Sequence, residues 1–501
     1  MAKKPVREQT EFNRYFDSLC EHDKNLITSF FFDFDTHCTL DRRAKDSMRR
    51  DFENAILYFF SVNTPLQTAL DRLSIKNLGS FYSRPPVLWF PLDNAAKMYP
   101  LAMKQSQMAL FRLSMRLTSD VIPEILQTAL TFTIKRFPSF ATTVKKGFFW
   151  HYLDTSKRRY EIQPETVVPC KLMDISASRS QSFRVLYFNN RISVEFFHVL
   201  TDGYGSMAFI KALTVEYFRL LGTTVKECDG IFDINAHPQP DEFINEFARV
   251  EKTEDSSGFL DKQAVQMSGR LSKKRPCRVL HFKMDASQLK QTAKRKNTSI
   301  TAYILAVMFI AIKQATDRFK GNVSIQLPVN MRKYYPSKTL LNFSMYCGIK
   351  FPLEEITNVE NMVDGISAQI DEKTSKERMS MMISSTKRMV GALRYVPLFI
   401  KTPLVRILYD FMGDRIFSST MSNLGVVSMP QELDGYIESM DAILGSSNKN
   451  RATCSMITFG NVATLSVSKM TSDPTFEEKL YSLLVEDGIT TFVDGSGLYE
   501  N

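Results

Sequence analysis

The stretch from Arg191 to Leu221, RISVEFFHVLTDGYGSMAFIKALTVEYFRLL, constrains the fold more than any other part of the chain. Ile192, Val194, Phe196 and His198 alternate with Ser193, Glu195 and Phe197, the two-residue period of a strand whose faces meet different environments. The expected strand ends at His198. Thr201, Asp202, Gly203 and Gly205 then supply turn and N-cap chemistry, and Ile210, Leu213, Tyr217, Leu220 and Leu221 continue at helical spacing. A histidine is thus placed at a strand end, facing a tight turn.

The His-x-x-x-Asp spacing by itself selects nothing, because four of the six histidines satisfy it: His37/Asp41, His198/Asp202, His237/Asp241 and His281/Asp285. Only Asp202 is followed by glycine, with a strand before the pair and a helix after it. Gly203 is expected to make a turn that a Cβ would strain, bringing backbone close to the imidazole.

FHVLTDG resembles the His-x-x-x-Asp-Gly acyltransferases related to chloramphenicol acetyltransferase, a superfamily that includes the BAHD enzymes, alcohol acetyltransferases and peptide-synthetase condensation domains. Four more segments are similar to it: FPLDNAAKMYP (Phe90 to Pro100), RFPSF (Arg136 to Phe140), PVNMR with Asn342 ten residues beyond Arg332, and SNLG (Ser422 to Gly425). The resemblance implies a mixed α/β fold of two chloramphenicol-acetyltransferase-like lobes, a pseudo-dimer with a tunnel at its interface. On this reading residues 1–80 are a helical N-terminal extension, 81–222 the first lobe, 223–278 a crossover linker and 279–501 the second lobe.

Local patterns agree with mixed content in both halves. Helices are expected over Arg42–Phe60 and Leu66–Leu73, with Asp41 or Asn63 as caps, and over Ile122–Arg136. Arg84-Pro85-Pro86 marks a change of tone before an alternating strand, Ala109–Leu117, and Asn189-Asn190 reads as a hairpin turn. The polar stretch with HPQP, EDSSG and SKKRPCR (Ser272 to Arg278) reads as linker, its cations a solvated loop or a neighbour of an anionic co-substrate. Beyond it come a strand, Val279–Met284, a buried helix ending near Gln314, strands over Val323–Arg332 and Leu341–Leu353, and helix over Asn358–Met389. A strand through Thr420–Val427 ending in a glycine turn, a strand over Ser455–Leu465 and a helix over Glu477–Leu484 close the chain.

A formal charge of +10 favours anionic partners, but spread over 64 basic and 54 acidic residues it is a mild bias. No recognition helix, finger or RNA-binding signature accompanies it, so nucleic acid is not expected as a partner. Seven scattered cysteines show no Cys-x-x-Cys pairing and indicate neither a metal site nor a disulfide framework. The polar N-terminus lacks an apolar signal core, and the longest apolar run, Ile300–Ile312, is too short to span a bilayer. A cytoplasmic protein is expected.

Acyl transfer needs a base for the attacking hydroxyl or amine and an acid for the leaving sulfur, and an imidazole serves as both near neutral pH. His198 is the candidate general base. Asp202 sits close enough in sequence to accept its Nδ1 proton in the manner of a triad, or to cap the helix. The resemblance implies instead that Asp202 turns away and pairs with an arginine, for which Arg332 is the candidate. Ser422 and Asn423 are read as donors to a developing oxyanion, or equally as ordinary strand-end residues. No Gly-x-Ser-x-Gly elbow is present, so direct transfer without an acyl-enzyme is expected, from acyl-CoA as co-substrate with no bound cofactor.

Two departures narrow the resemblance to its alcohol acetyltransferase-like branch. Phe197 stands where condensation domains carry a second histidine, and the Asp-Phe-Gly-Trp-Gly motif of the BAHD branch is absent. The acceptor is read as a small molecule or a lipid. Ala392–Gly413 combines aromatic, aliphatic and basic residues; it is expected to pack within the core, with roofing of an apolar tunnel or peripheral contact with an anionic membrane as alternatives. The rival functions are a noncatalytic scaffold that keeps the fold and a condensation enzyme fed by a carrier-tethered donor.

Overall fold

The computed structural model describes residues 10–497 apart from 84–88, 104–107, 156–157, 167, 175–180, 227, 252, 254–261, 413, 446 and 448–449. Arg84-Pro85-Pro86 and the whole of EDSSG therefore lie outside the described residues. The chain opens with four helices: α1 (Glu11–Ser18), α2 (Glu21–His37), α3 (Arg42–Ser61) and α4 (Leu66–Arg72). Local patterning shows α3 and α4 but not α1 and α2. Asp41 caps α3 by accepting from Ala44 N at 3.1 Å, whereas Asn63 caps nothing. It takes a left-handed φ of 57° in the turn ahead of α4, whose cap position is Pro65. α3 lies on the later helix α6, where Phe52 meets Phe132 at 6.1 Å, and the helices share the first hydrophobic core.

The strands of the first half are β1 (Trp89–Pro91), β2 (Leu110–Leu117), β3 (Thr142–Lys146), β4 (His151–Thr155), β5 (Ile162–Pro164), β6 (Phe183–Phe188) and β7 (Arg191–Phe197). Between and after them run α5 (Met98–Ala102), α6 (Pro123–Thr133) and α7 (Gly203–Leu221). The second half holds α8 (Glu246–Arg249), β8 (Arg278–Asp285), α9 (Ala286–Arg295), α10 (Ile300–Gln314), β9 (Asn322–Asn330) and β10 (Ser344–Pro352). It continues with α11 (Val359–Lys373), α12 (Lys376–Ala392), α13 (Leu398–Met412), β11 (Ser419–Val427), β12 (Ile437–Leu444), β13 (Ala452–Phe459), β14 (Val462–Lys469), α14 (Thr475–Glu486) and β15 (Thr491–Gly495).

These strands form a three-stranded sheet β1-β4-β3, a five-stranded sheet β12-β2-β7-β6-β5 and a seven-stranded sheet β10-β9-β11-β13-β14-β8-β15. The late strand β12 joins the first half's sheet, with Met440 opposite Met115 and Ala442 opposite Leu113. Two large hydrophobic cores result among the described residues. The first is packed among α3, α6, α7 and the five-stranded sheet; the second surrounds α10, whose side chains from Ala302 to Phe309 are buried without a break. No single helix among the described residues is long and apolar enough to cross a membrane.

Three expectations need correction, and one about β7 holds. The two faces of β7 do meet different environments, as expected, and both are buried: Glu195 is fully buried and accepts from Arg112 Nε at 2.9 Å, from Arg184 Nε at 2.5 Å and from the Cys170 amide at 2.6 Å. Buried carboxylates persist when paired and hydrogen-bonded, so the alternation there separates an apolar layer from an ionic one. Ser455–Leu465 is not one strand but the hairpin β13–β14, turning at Gly460 with φ +55°. Gly425 does not end the Thr420–Val427 strand; at φ +76° it forms a bulge between Asn423 and Val426, the backbone departure that glycine accommodates. Ala392–Gly413 does not pack wholly within the core: Tyr395, Phe399, Ile400, Leu404 and Ile407 are exposed.

Candidate active site

His198 directly follows β7, its backbone N–H donating to Ala109 O at 2.8 Å. Phe197, Val199 and Leu200 beside it are sealed, while His198 keeps part of its surface accessible. Tyr99 of α5 stacks on the imidazole at 4.8 Å, and Phe111 of β2 lies across it at 5.0 Å. Its Nδ1 is 2.8 Å from Asn342 Oδ1. The Asn342 amide is oriented in turn by Asp93, whose Oδ2 accepts from Asn342 Nδ2 at 3.0 Å and from the Asn342 backbone N–H at 3.2 Å. The other Asp93 oxygen takes the Ala96 N–H at 2.7 Å.

This network assigns the tautomer. Because the amide nitrogen of Asn342 points to a carboxylate, its oxygen faces the imidazole, so Nδ1 carries the proton and Nε2 is left with its lone pair. Burial lowers the pKa of His198 against the opposing pull of Asp202 and Asn342, so the ring is neutral at neutral pH. Burial also raises Asp93 to about 6, against its bonds from Ala96 and Asn342. Asp93 and Tyr99 both belong to FPLDNAAKMYP, and Asn342 follows PVNMR; the sequence reading gave none of these three residues a chemical role. A lone carboxylate in the apolar FPLDNAA run was the available signal.

Asp202 is nearly fully buried and does not bond to the imidazole. Its Oδ1 caps α7, accepting from Tyr204 N at 3.1 Å and Gly205 N at 3.5 Å. Its Oδ2 receives Arg332 Nη1 at 2.8 Å and the Phe343 N–H at 2.8 Å. Arg332 Nη2 donates to Thr339 O at 2.7 Å and Leu341 O at 2.8 Å, and Thr201 Oγ1 donates to Leu340 O at 2.7 Å. The pair thus fixes the backbone on both sides of Asn342, and through it the imidazole.

Gly203 has no left-handed φ, contrary to the strained turn expected of it. A Cβ there would fall 2.8 Å from the Leu424 Cδ2 methyl, a movable neighbour. The tighter position is Gly205, where a Cβ would lie 2.5 Å from Leu340 O and 2.2 Å from Thr201 Oγ1. The SNLG segment therefore reaches the His-x-x-x-Asp-Gly turn through Leu424. Asn423 is committed elsewhere, with Nδ2 donating to Thr301 Oγ1 at 2.9 Å and Oδ1 accepting Gly425 N at 2.9 Å. Ser422 lies beside it on β11, opposite Ser455. A separate polar cavity of about 720 Å³, lined by Arg43, Arg158, Arg159 and Arg184 among others, includes none of these residues.

Residues 241–440 match the alcohol acetyltransferase family. No curated protein matches the chain by sequence. Among solved structures it is similar to the trichothecene 15-O-acetyltransferase of Fusarium sporotrichioides, with 13% identity, a TM-score of 0.53 and coverage of 79% of this chain and 94% of the other. TRI101 of F. sporotrichioides, solved with coenzyme A and T-2, gives 12% identity, a TM-score of 0.54 and coverage of 80% and 99%. The epimerization domain from the third module of tyrocidine synthetase B gives 11%, 0.51, 80% and 95%. At these identities the likeness is one of fold, and the protein has the two-lobed mixed α/β fold common to the chloramphenicol-acetyltransferase-like and condensation-type superfamily, with residues 241–440 matching its alcohol acetyltransferase family.

Proposed function

We propose that the protein transfers an acyl group from acyl-CoA to the hydroxyl or amine of a small-molecule or lipid acceptor, with His198 as general base. In the proposed step Nε2 removes the acceptor proton as its oxygen or nitrogen attacks the thioester carbonyl. The tetrahedral intermediate then collapses, the C–S bond breaks, and the thiolate takes the proton back from the imidazolium. No acyl-enzyme forms, because the acceptor itself attacks. Ser422 is the candidate donor to the oxyanion; the side chain of Asn423 would first have to leave Thr301.

One observation carries this reading: the relay Asp93–Asn342–His198 keeps the proton on Nδ1 and leaves Nε2 a neutral base on a partly accessible ring. Acyl transfer is also the activity named for the matched family and for the F. sporotrichioides acetyltransferase. The test is thiol release from acetyl- to long-chain acyl-CoA with alcohols and amines, comparing wild type with His198→Ala. Release should fall by about 10²–10⁴-fold in the variant, the range a positioned acid–base group supplies. A folded variant that retains wild-type rates overturns His198 as base. If only an acylated carrier protein supports turnover, the donor is carrier-tethered; a folded protein silent with every donor is a scaffold.

A further inference from the structure

α13 is apolar on two sides. Its inner side chains Leu398 and Val405 are buried with Leu101 of α5, against Met98, Trp150 and Leu393. Lys401, also on that side, is fully buried, with Nζ 3.3 Å from the Trp150 ring centre and donating to Leu393 O at 2.8 Å. The outer face carries Phe399, 73% exposed, with Ile400, Leu404 and Ile407 at one-turn spacing. The turn between β3 and β4 extends this surface. Phe148, 67% exposed, accepts from Leu398 N at 2.8 Å through its carbonyl, and Phe149 packs edge-on to Tyr395 at 6.4 Å. Trp89, on the same small sheet, is exposed beside Tyr152.

Isolated exposed apolar residues are normal on a protein surface, but a contiguous group of large ones marks a contact site. The charge around this group identifies the partner. Arg394 and Arg406 belong to this segment, Lys145 and Lys146 lead into the aromatic turn, and between Glu377 and Asp410 the chain has no Asp or Glu. A second copy of the chain would bring like charges together across a two-fold axis. An apolar centre with aromatic residues and a cationic fringe suits the interface of an anionic bilayer, where rings sit at headgroup depth and each nearby cation adds about 1 kcal/mol.

We propose that the outer face of α13 and the Phe148–Phe149 turn form a docking surface for an anionic lipid bilayer. The surface lies one helix from the candidate base: α13 rests on α5, and Tyr99 of α5 stacks on His198. Docking there brings the site to the membrane, from which an apolar acceptor or acyl chain would be drawn. That last consequence rests on the acyl-transfer reading; the docking itself does not.

The experiment is flotation of the full chain with phosphatidylcholine vesicles, with and without phosphatidylglycerol, together with tryptophan quenching by brominated lipid. The chain has two tryptophans, Trp89 and Trp150, and both belong to this region. The expected result is binding to the anionic vesicles, weakened by salt, with quenching. The double variant Phe148→Glu/Phe399→Glu, at exposed positions, should lower the bound fraction at least about tenfold with an unchanged melting temperature. Absence of binding to anionic vesicles, equal binding to neutral ones, or binding that the double variant retains each overturns the proposal. So does a dimer that the variant dissociates while vesicles are ignored. None of these readouts involves turnover, so failure of docking is distinct from failure of acyl transfer.

Discussion

Asn342 has an amide whose two ends are told apart by Asp93, and this difference passes directly to the imidazole. In Asp93→Asn one carboxylate oxygen becomes an NH₂ group, which must face either the Ala96 N–H or the two Asn342 donors. A donor then meets a donor. Turning the Asn342 amide relieves the conflict but presents its nitrogen to His198 and forces the proton onto Nε2, the wrong tautomer for a base. Asp93→Asn and Asn342→Ala should each lower kcat/KM by about 10²-fold or more, as loss of an orienting partner does in a related triad. The pH profile supplies a second check. Only the neutral imidazole accepts the acceptor's proton, and burial lowers its pKa, so the acid limb of kcat/KM should lie below the ordinary imidazole value of about 6.5. Activity is full above that limb and lost as pH falls through it; a limb centred above neutrality would exclude this histidine as the base.

At the scale of elements, the approach of α7 to the Thr339–Phe343 segment depends on the absence of a side chain at Gly205. A methyl there would meet a backbone carbonyl, which cannot swing aside, and the Thr201 hydroxyl that already bonds to that carbonyl. Gly205→Ala should therefore cost about 1–3 kcal/mol, the usual range for overpacking, and displace Asn342 enough to reduce turnover. Gly391, near the end of α12, has open space where its Cβ would be. Gly391→Ala should be neutral or stabilising by up to about 1 kcal/mol, since alanine is the better helix former. Chemical denaturation of the two variants in parallel checks both; equal effects would mean that the crowding at Gly205 is relieved elsewhere.

For the whole molecule, Asp202 and Arg332 join the two halves of the chain, 130 residues apart in sequence. Removing one partner of a buried pair leaves the other uncompensated, at a cost of about 3–5 kcal/mol. Asp202→Asn should accordingly lower stability and activity together, while His198→Ala affects activity far more than stability. Asp202→Asn and Arg332→Gln should be non-additive when combined, with a coupling of about 0.5–3 kcal/mol read from a double-mutant cycle. Additive losses would show that the two side chains act separately.

Local periodicity was enough to locate β7, the turn, α7 and the long buried helix α10, because alternation and helical spacing are properties of consecutive residues. It likewise placed His198 at the end of a strand, and the segments around it pointed to the superfamily fold. It did not show that Asn342, 144 residues away, holds the imidazole, or that Asp93 sets the direction of the amide. Those contacts depend on how separate segments register against each other. Nor did it show β12 entering the first sheet, or Phe399 facing outward on a helix whose opposite side is equally apolar. A helix with large apolar residues on more than one side names no inner face; only the packing of α13 on α5 decided which side was buried and which was left exposed. The sequence by itself thus determined most of the elements and the candidate base, and the tertiary structure decided how its imidazole is held and what surrounds it, because hydrogen-bond partners distant in sequence leave no periodic trace.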